Sequence, residues 1–308
     1  MLMKRRFVFL FLILVFLCGC NSSKKLSNDV EEIKPYREIF LTDIVQLSDN
    51  RYSCSFDEVE HDFIIDFPSV VEGAPLVILL PGYDMTAEAM KQNYAFEKSA
   101  NPRGYVTVYV TGAVNKGDNI RTGIGWNSGL SSVGNEDVRF IVALAEYLQE
   151  TYSLDKAHTF TAGFSNGAFM NHRLAMEAQD TFTACVSVAG KMPGRIWDNR
   201  NETNHIGFFQ ITGGKDELIP KNSDGSARFA KDPAIEDVIE YWAQSDGLSV
   251  VTEENLANDI VLTKYADENG GNLQVWHLFL KDGHHSWPSK AIHGIDTNTL
   301  ILDFFDSF

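Results

Sequence analysis

Three observations predict an α/β fold with a mostly parallel central sheet and helices on both faces. Strand-like and helix-like runs alternate through most of the 308 residues. The run at residues 74–80 is continuously apolar, as a strand covered on both sides is. Finally, the pentapeptide Gly163-Phe164-Ser165-Asn166-Gly167 stands between an apolar strand and an apolar-periodic run containing Met170, Leu174 and Met176. A strand that reverses sharply into a helix leaves no room for a Cβ at the two glycines.

The elements follow in order. Lys4, Arg5 and Arg6 precede an unbroken aliphatic and aromatic stretch, 7–17, and then Cys18-Gly19-Cys20. A basic start, a short apolar segment and small exit residues make an export signal too short to span a membrane. The tetrapeptide at 17–20 resembles a bacterial lipobox, which implies a signal peptide at 1–19 and lipid on Cys20, the new N-terminus. Acylation there would anchor the chain to a membrane without a transmembrane helix. Residues 20–50 are polar and mixed in charge and read as a tether; 51–308 read as one catalytic domain.

Within that domain strands are expected at 52–56 and 61–67, an antiparallel pair at the sheet's edge, then at 74–80 and 105–110. A helix is expected at 86–99 and an amphipathic one at 138–152, where Ile141, Leu144, Ala145 and Leu148 share a side. After the glycine-flanked serine come strands at 184–189, 206–212 and 273–279, with helices at 234–244 and 297–305.

Composition bounds the function. With 44% hydrophobic and 22% charged residues, the chain can bury one large core. A net charge of -16 and a pI near 4.9 repel phosphate backbones, which argues against nucleic acid as a partner. Export permits a disulfide between Cys54 and Cys185, but Cys185 lies in an apolar strand, and the sequence leaves their pairing open.

A strand–turn–helix around Gly-x-Ser-x-Gly is a nucleophile elbow, and a serine hydroxyl needs a base and an acid to orient that base. On this architecture the order is serine, acid, histidine. Asp216 follows the strand at 206–212, where loops converge on a site; a turn or capping role is its alternative. His284 and His285 follow the last strand, and either would serve as base. Asp282 with these two histidines suggests a partial metal site, but no second cluster supplies the missing ligands, so no metal or other cofactor is expected. The backbone amide of Asn166 is one donor for an oxyanion, and that of Tyr83, after the first central strand, is the other.

Taken together, Leu80-Pro81-Gly82, Gly125-Trp126-Asn127-Ser128-Gly129, Glu136-Asp137-Val138, the elbow, Asp216-Glu217-Leu218-Ile219-Pro220 and Gly283-His284-His285-Ser286-Trp287-Pro288 form a pattern. It resembles the secreted α/β-hydrolases comprising polyhydroxybutyrate depolymerase-like enzymes and the feruloyl and acetylxylan esterases of carbohydrate esterase family 1. The resemblance implies Ser165 as nucleophile, Asp216 as orienting acid and, from the histidine before a hydroxyl residue, tryptophan and proline, His285 as base. It also implies Trp126 and Trp287 near the substrate, a core role being the alternative for Trp126. Two positions depart from the pattern. Pro81 stands where histidine is usual, and His284 where glycine is usual.

The expectation is an exported, membrane-anchored or secreted serine esterase acting on feruloyl or acetyl esters of plant polysaccharide or on short polyhydroxyalkanoate esters. A serine peptidase of the same fold, an acyltransferase and a non-catalytic glycan-binding lipoprotein are the rivals. The sequence leaves oligomeric state and the physiological ester open.

Overall fold

The structure is a computed structural model that describes residues 40–114, 123–130, 134–222, 231–257 and 259–308. Cys20, the signal segment 1–19 and the first part of the tether, to residue 39, lie outside the described residues.

The strands are β1 (Thr42–Gln46), β2 (Arg51–Phe56), β3 (Val59–Asp66), β4 (Leu76–Leu80), β5 (Val106–Val110), β6 (Thr159–Phe164), β7 (Ala184–Val188), β8 (Gly207–Gly213), β9 (Val250–Ala257), β10 (Ile260–Ala266) and β11 (Gln274–Leu280). They form one sheet in the order β1-β2-β3-β5-β4-β6-β7-β8-β11-β10-β9. The neighbours from β5 through β4, β6, β7 and β8 to β11 are parallel; the pairs outside them are antiparallel. A parallel block flanked by hairpins results.

Between these strands lie α1 (Ala87–Tyr94), α2 (Glu97–Ala100), α3 (Asp137–Tyr152), α4 (Asn166–Glu177), α5 (Gly194–Asp198), α6 (Ile235–Ser245), α7 (Lys290–His293) and α8 (Thr297–Phe305). Strand side chains alternate between faces, and β4 shows what each face meets. Leu76, Ile78 and Leu80 join a core with α3, α4 and α6, whereas Val77 and Leu79 join one with α1 and α8. Central strands are therefore covered on both faces, and all of β4, β5, β6, β7 and β8 is buried, polar residues such as Thr107, Thr161, Ser187 and Gln210 included.

Three local differences from the sequence reading stand out, and the pairing of the two cysteines, which it left open, is answered. Residues 42–46, inside the stretch read as tether, pair with β2 as an edge strand. The run expected as one helix over 86–99 is two, because Ala95 turns left-handed at φ 43° and its N–H closes on Lys91. The β9–β10 hairpin had no counterpart in the sequence reading; β9 is the outermost strand and is exposed over most of its length. Cys54 and Cys185 are both free, buried thiols, and burial pushes each up to about 12.

Candidate active site

The elbow is built by crowding. Ser165 sits at φ 52° and ψ -115°, a conformation that L residues rarely adopt, with its N–H held by the Val188 carbonyl at 2.9 Å. A Cβ on Gly163 would run into the backbone of Gly167, and one on Gly167 into the Leu80 carbonyl. The strand, the helix and β4 thus approach as closely as backbones can. Ser165 is lifted to the start of α4, where unpaired helix amides favour negative charge.

Strands β8 and β11 are parallel neighbours, so their exit loops lie side by side. Gly214 N–H donates to the Leu280 carbonyl and Lys215 N–H to that of Gly283, both at 2.8 Å. This stitching brings Asp216 to His285. His285 Nδ1 lies 2.8 Å from Asp216 Oδ2, and His285 Nε2 lies 2.9 Å from Ser165 Oγ. A carboxylate only accepts, so Nδ1 carries the proton and Nε2 is left to accept from the serine hydroxyl. Asp216 is itself fixed, because its other oxygen accepts the amides of Leu218 at 2.9 Å and Ile219 at 2.8 Å. Its side chain is 2% exposed and that of His285 13%.

The imidazole also has apolar support. Its ring lies 5.1 Å from that of Phe164, which meets Tyr94 edge-on at 5.6 Å. Tyr94 stacks on Trp287 at 4.8 Å, and Trp287 Nε1 donates to Asn298 Oδ1 at 3.0 Å. Asn298 in turn donates to the Tyr94 carbonyl at 2.8 Å, which braces the histidine loop against α1 and α8.

Gly82 lies against the nucleophile: a Cβ there would be 3.3 Å from Ser165 Cβ. Tyr83 follows Gly82 directly, and Asn166, the first residue of α4, follows Ser165. Trp126 Nε1 donates to the Pro81 carbonyl at 3.0 Å, while Trp126 N–H donates to Asn166 Oδ1 at 2.7 Å.

The two tryptophans expected near substrate are inside the protein. Trp126 is 1% exposed and Trp287 7%, and each indole N–H is taken by a protein oxygen. An indole needs a partner for its N–H and cover for its ring, and both are supplied by the fold. Through these bonds the rings hold the loops of Pro81 and of His285 in place.

His284, Asp282 and His285 diverge. His284 Nδ1 pairs with Glu217 at 2.8 Å and Asp282 with Lys215 at 2.7 Å. Among the described residues, no group of three His, Cys, Asp or Glu side chains is arranged to hold a metal ion. No helix among them is long and apolar enough to cross a membrane.

One site feature escaped the sequence. Asp137, at the start of α3, is 1% exposed, and its Oδ2 accepts Asn127 N–H at 2.6 Å. An acid at a helix start reads as an ordinary cap; what betrays a different use is its place beside the apolar residues 138 and 140–141.

No family model matches the chain. A protein named as an esterase, NocK of Nocardia uniformis subsp. tsuyamanensis, is 31% identical over 243 residues, which are 72% of this chain and 67% of that protein. Feruloyl esterase C of Emericella nidulans is 31% identical over 96 residues, 31% of this chain and 34% of that enzyme. Among solved structures, an acetyl xylan esterase from Aspergillus awamori superposes with a TM-score of 0.57 at 14% identity, covering 80% of this chain and 94% of the other. At that identity the superposition speaks for the fold.

Proposed function

The chain belongs to the family of α/β-hydrolase esterases that includes NocK, and from that premise we propose that it hydrolyses carboxylic esters through Ser165, His285 and Asp216. The observation that carries the proposal is the continuous relay Asp216–His285–Ser165, with links of 2.8 and 2.9 Å.

Ser165 Oγ attacks the ester carbonyl as its proton passes to His285 Nε2, and the carbonyl π electrons move onto oxygen. The Asn166 and Tyr83 amides receive the oxyanion; one such donor is worth about 3 kcal/mol of transition-state stabilisation. The C–O bond breaks as the imidazolium returns its proton to the departing alcohol. Water, deprotonated by the same nitrogen, then attacks the acyl-serine and releases the acid. Asp216 stays ionised throughout, holding the tautomer and balancing the imidazolium.

The favoured substrates are feruloyl or acetyl esters on plant polysaccharide, as the names of the relatives suggest, or short hydroxyalkanoate esters. Hydrolysis of methyl ferulate, acetylated xylan and polyhydroxybutyrate, assayed side by side, tests this. Preference for a peptide substrate, or acyl transfer to a sugar in preference to water, would replace it with the peptidase or transferase reading. Failure to turn over any aryl ester would favour the glycan-binding reading. Export and lipid on Cys20 belong to the same proposal. Mass spectrometry of the mature N-terminus checks them, and a mature chain without a lipidated cysteine at residue 20 would refute the anchor.

A further inference from the structure

The segment 123–127 bonds both to the loop of Pro81, Tyr83 and Asp84 and to Asn166, the residue after the nucleophile. Gly123 N–H donates to Tyr83 Oη at 2.9 Å and Ile124 N–H to Asp84 Oδ1 at 3.1 Å, while Asp84 N–H donates back to the Ile124 carbonyl at 2.9 Å. Gly125 and Ala113 exchange backbone bonds at 3.0 and 3.1 Å, tying the segment to the exit of β5. Trp126 reaches Pro81 and Asn166, as described above, and the Asn166 amide group also donates to the Trp126 carbonyl at 3.4 Å. The residue after the nucleophile and the loop opposite it are therefore both fastened to one short stretch of chain.

That stretch is fastened in turn at Asn127. Its N–H goes to Asp137 Oδ2, its side-chain amide to the Asn135 carbonyl at 2.8 Å, and its carbonyl accepts Arg173 Nη1 at 2.6 Å. Arg173 is on α4, the nucleophile's own helix, and is anchored by Glu177. Asp137 Oδ1 is buried and, among the described residues, accepts no hydrogen bond. A buried carboxylate with one free oxygen is costly for stability, so its stabilising return must be sought elsewhere.

We infer that Asp137 is a positioning residue for the oxyanion donors, acting through Asn127 and Trp126 on Pro81, Gly82 and the start of α4. The inference rests on the proposed acyl-serine chemistry. Asp137 does not touch substrate. Its charge is balanced from α4 by Arg173 and opposed from its own helix by Glu136, and burial pushes its carboxyl up to about 6. Protonation in mild acid removes the charge from the Asn127 bond, which loosens the anchor while leaving a neutral oxygen to accept.

Asp137→Asn keeps the shape and removes the charge; Trp126→Phe removes the bond to Pro81 together with one ring of the fused, buried pair. Each is expected to lower kcat for an aryl ester about 5- to 10-fold with KM within about 2-fold, since an oxyanion contact acts only in the transition state. The double variant should lose no more than the worse single one, because both break the same chain of contacts. In the pH profile of kcat, the wild-type protein should show an ionisation near Asp137's value that is missing from Asp137→Asn. Labelling of Ser165 by a fluorophosphonate separates the two levels of argument. A wild-type protein that neither labels nor hydrolyses esters overturns the acyl-serine reading itself. An active, labelled wild-type protein whose Asp137→Asn variant keeps full kcat and the same pH profile, whatever its melting temperature, overturns this inference alone. Independent, multiplying losses in the double variant also overturn it.

Discussion

Two imidazole–carboxylate pairs join the same two loops at the same 2.8 Å, from adjacent residues on each side: Asp216 with His285, and Glu217 with His284. Everything else about them differs. In the first pair the carboxylate accepts two backbone amides besides the imidazole, both side chains are buried, and the far ring nitrogen reaches Ser165. In the second, the side chains are 62% and 68% exposed, and neither makes a comparable set of bonds. Burial and pre-set donors fix a tautomer and an orientation; length alone does not. A third class sharpens the contrast. His61 and His172 are buried and His277 is half-buried, none of them in an ion pair with a carboxylate among the described residues, and desolvation pushes them down to about 4, 3 and 4. Such rings stay neutral and serve as spacers and hydrogen-bond partners, as His172 does for Gln210 at 3.1 Å.

The sharpest way to break the comparison is to cut the first pair. Ser165→Ala or His285→Ala is expected to lower kcat by up to about 10⁶, and Asp216→Asn by about 10⁴ through the wrong tautomer, with expression and melting temperature close to wild type. Steady-state kinetics on p-nitrophenyl acetate would check this. Retention of most activity in any of the three would mean that the geometry is not the machinery.

The next effect is on stability. For these three histidines the folded pKa lies below the unfolded value near 6.5, so the unfolded chain binds more protons as pH falls through that value. Stability is then full above about pH 6.5 and declines towards pH 4, at up to ~1.4 kcal/mol per pH unit for each ring. Urea midpoints at pH 7.5 and 5.0 would measure it. Replacing His172 by Gln should flatten the slope. An unchanged slope would show that the ring is already protonated, or is solvated on opening, at pH 5.

How much of this was legible follows from what each residue answers to. The elbow, the parallel strands and α3 announce themselves, because a strand covered on both faces is mostly apolar and this strand-to-helix reversal leaves room only for glycine at 163 and 167. Strand β9 does not, because Val250–Ala257 is an edge that meets solvent on most positions and has no burial to impose a pattern. The break at Ala95 is equally silent, since alanine carries no stop signal and the left-handed turn is imposed by packing of Phe96 and Ala100 into the core. In the site, side chains whose partners are other side chains were readable from chemistry and order. The bonds to distant backbone were not: nothing in the letters of Asp137, Arg173 or Asn298 says that an N–H of residue 127 or a carbonyl of residue 127 or 94 awaits them. For Trp126 the sequence left brace and substrate contact open, and its bonds to Pro81 and Asn166 show how it serves as a brace.

The smallest effect isolates the second pair. An exposed ion pair gains little Coulomb energy in water and loses side-chain freedom to hold its geometry, so it contributes about 0–1 kcal/mol. The Glu217–His284 contact is therefore expected to shape rate by no more than about 5-fold in His284→Ala or Glu217→Gln, with the double variant no worse than either alone. Salt supplies an independent check, because screening acts on exposed charges and spares buried ones. Raising ionic strength should erase the difference between Glu217→Gln and wild type while leaving the defect of Asp216→Asn untouched. A salt-insensitive loss of 10³ or more at His284 would reverse the assignment of the base. Two histidines that look alike in sequence, and bond alike in length, would then have to be told apart by something other than what surrounds them.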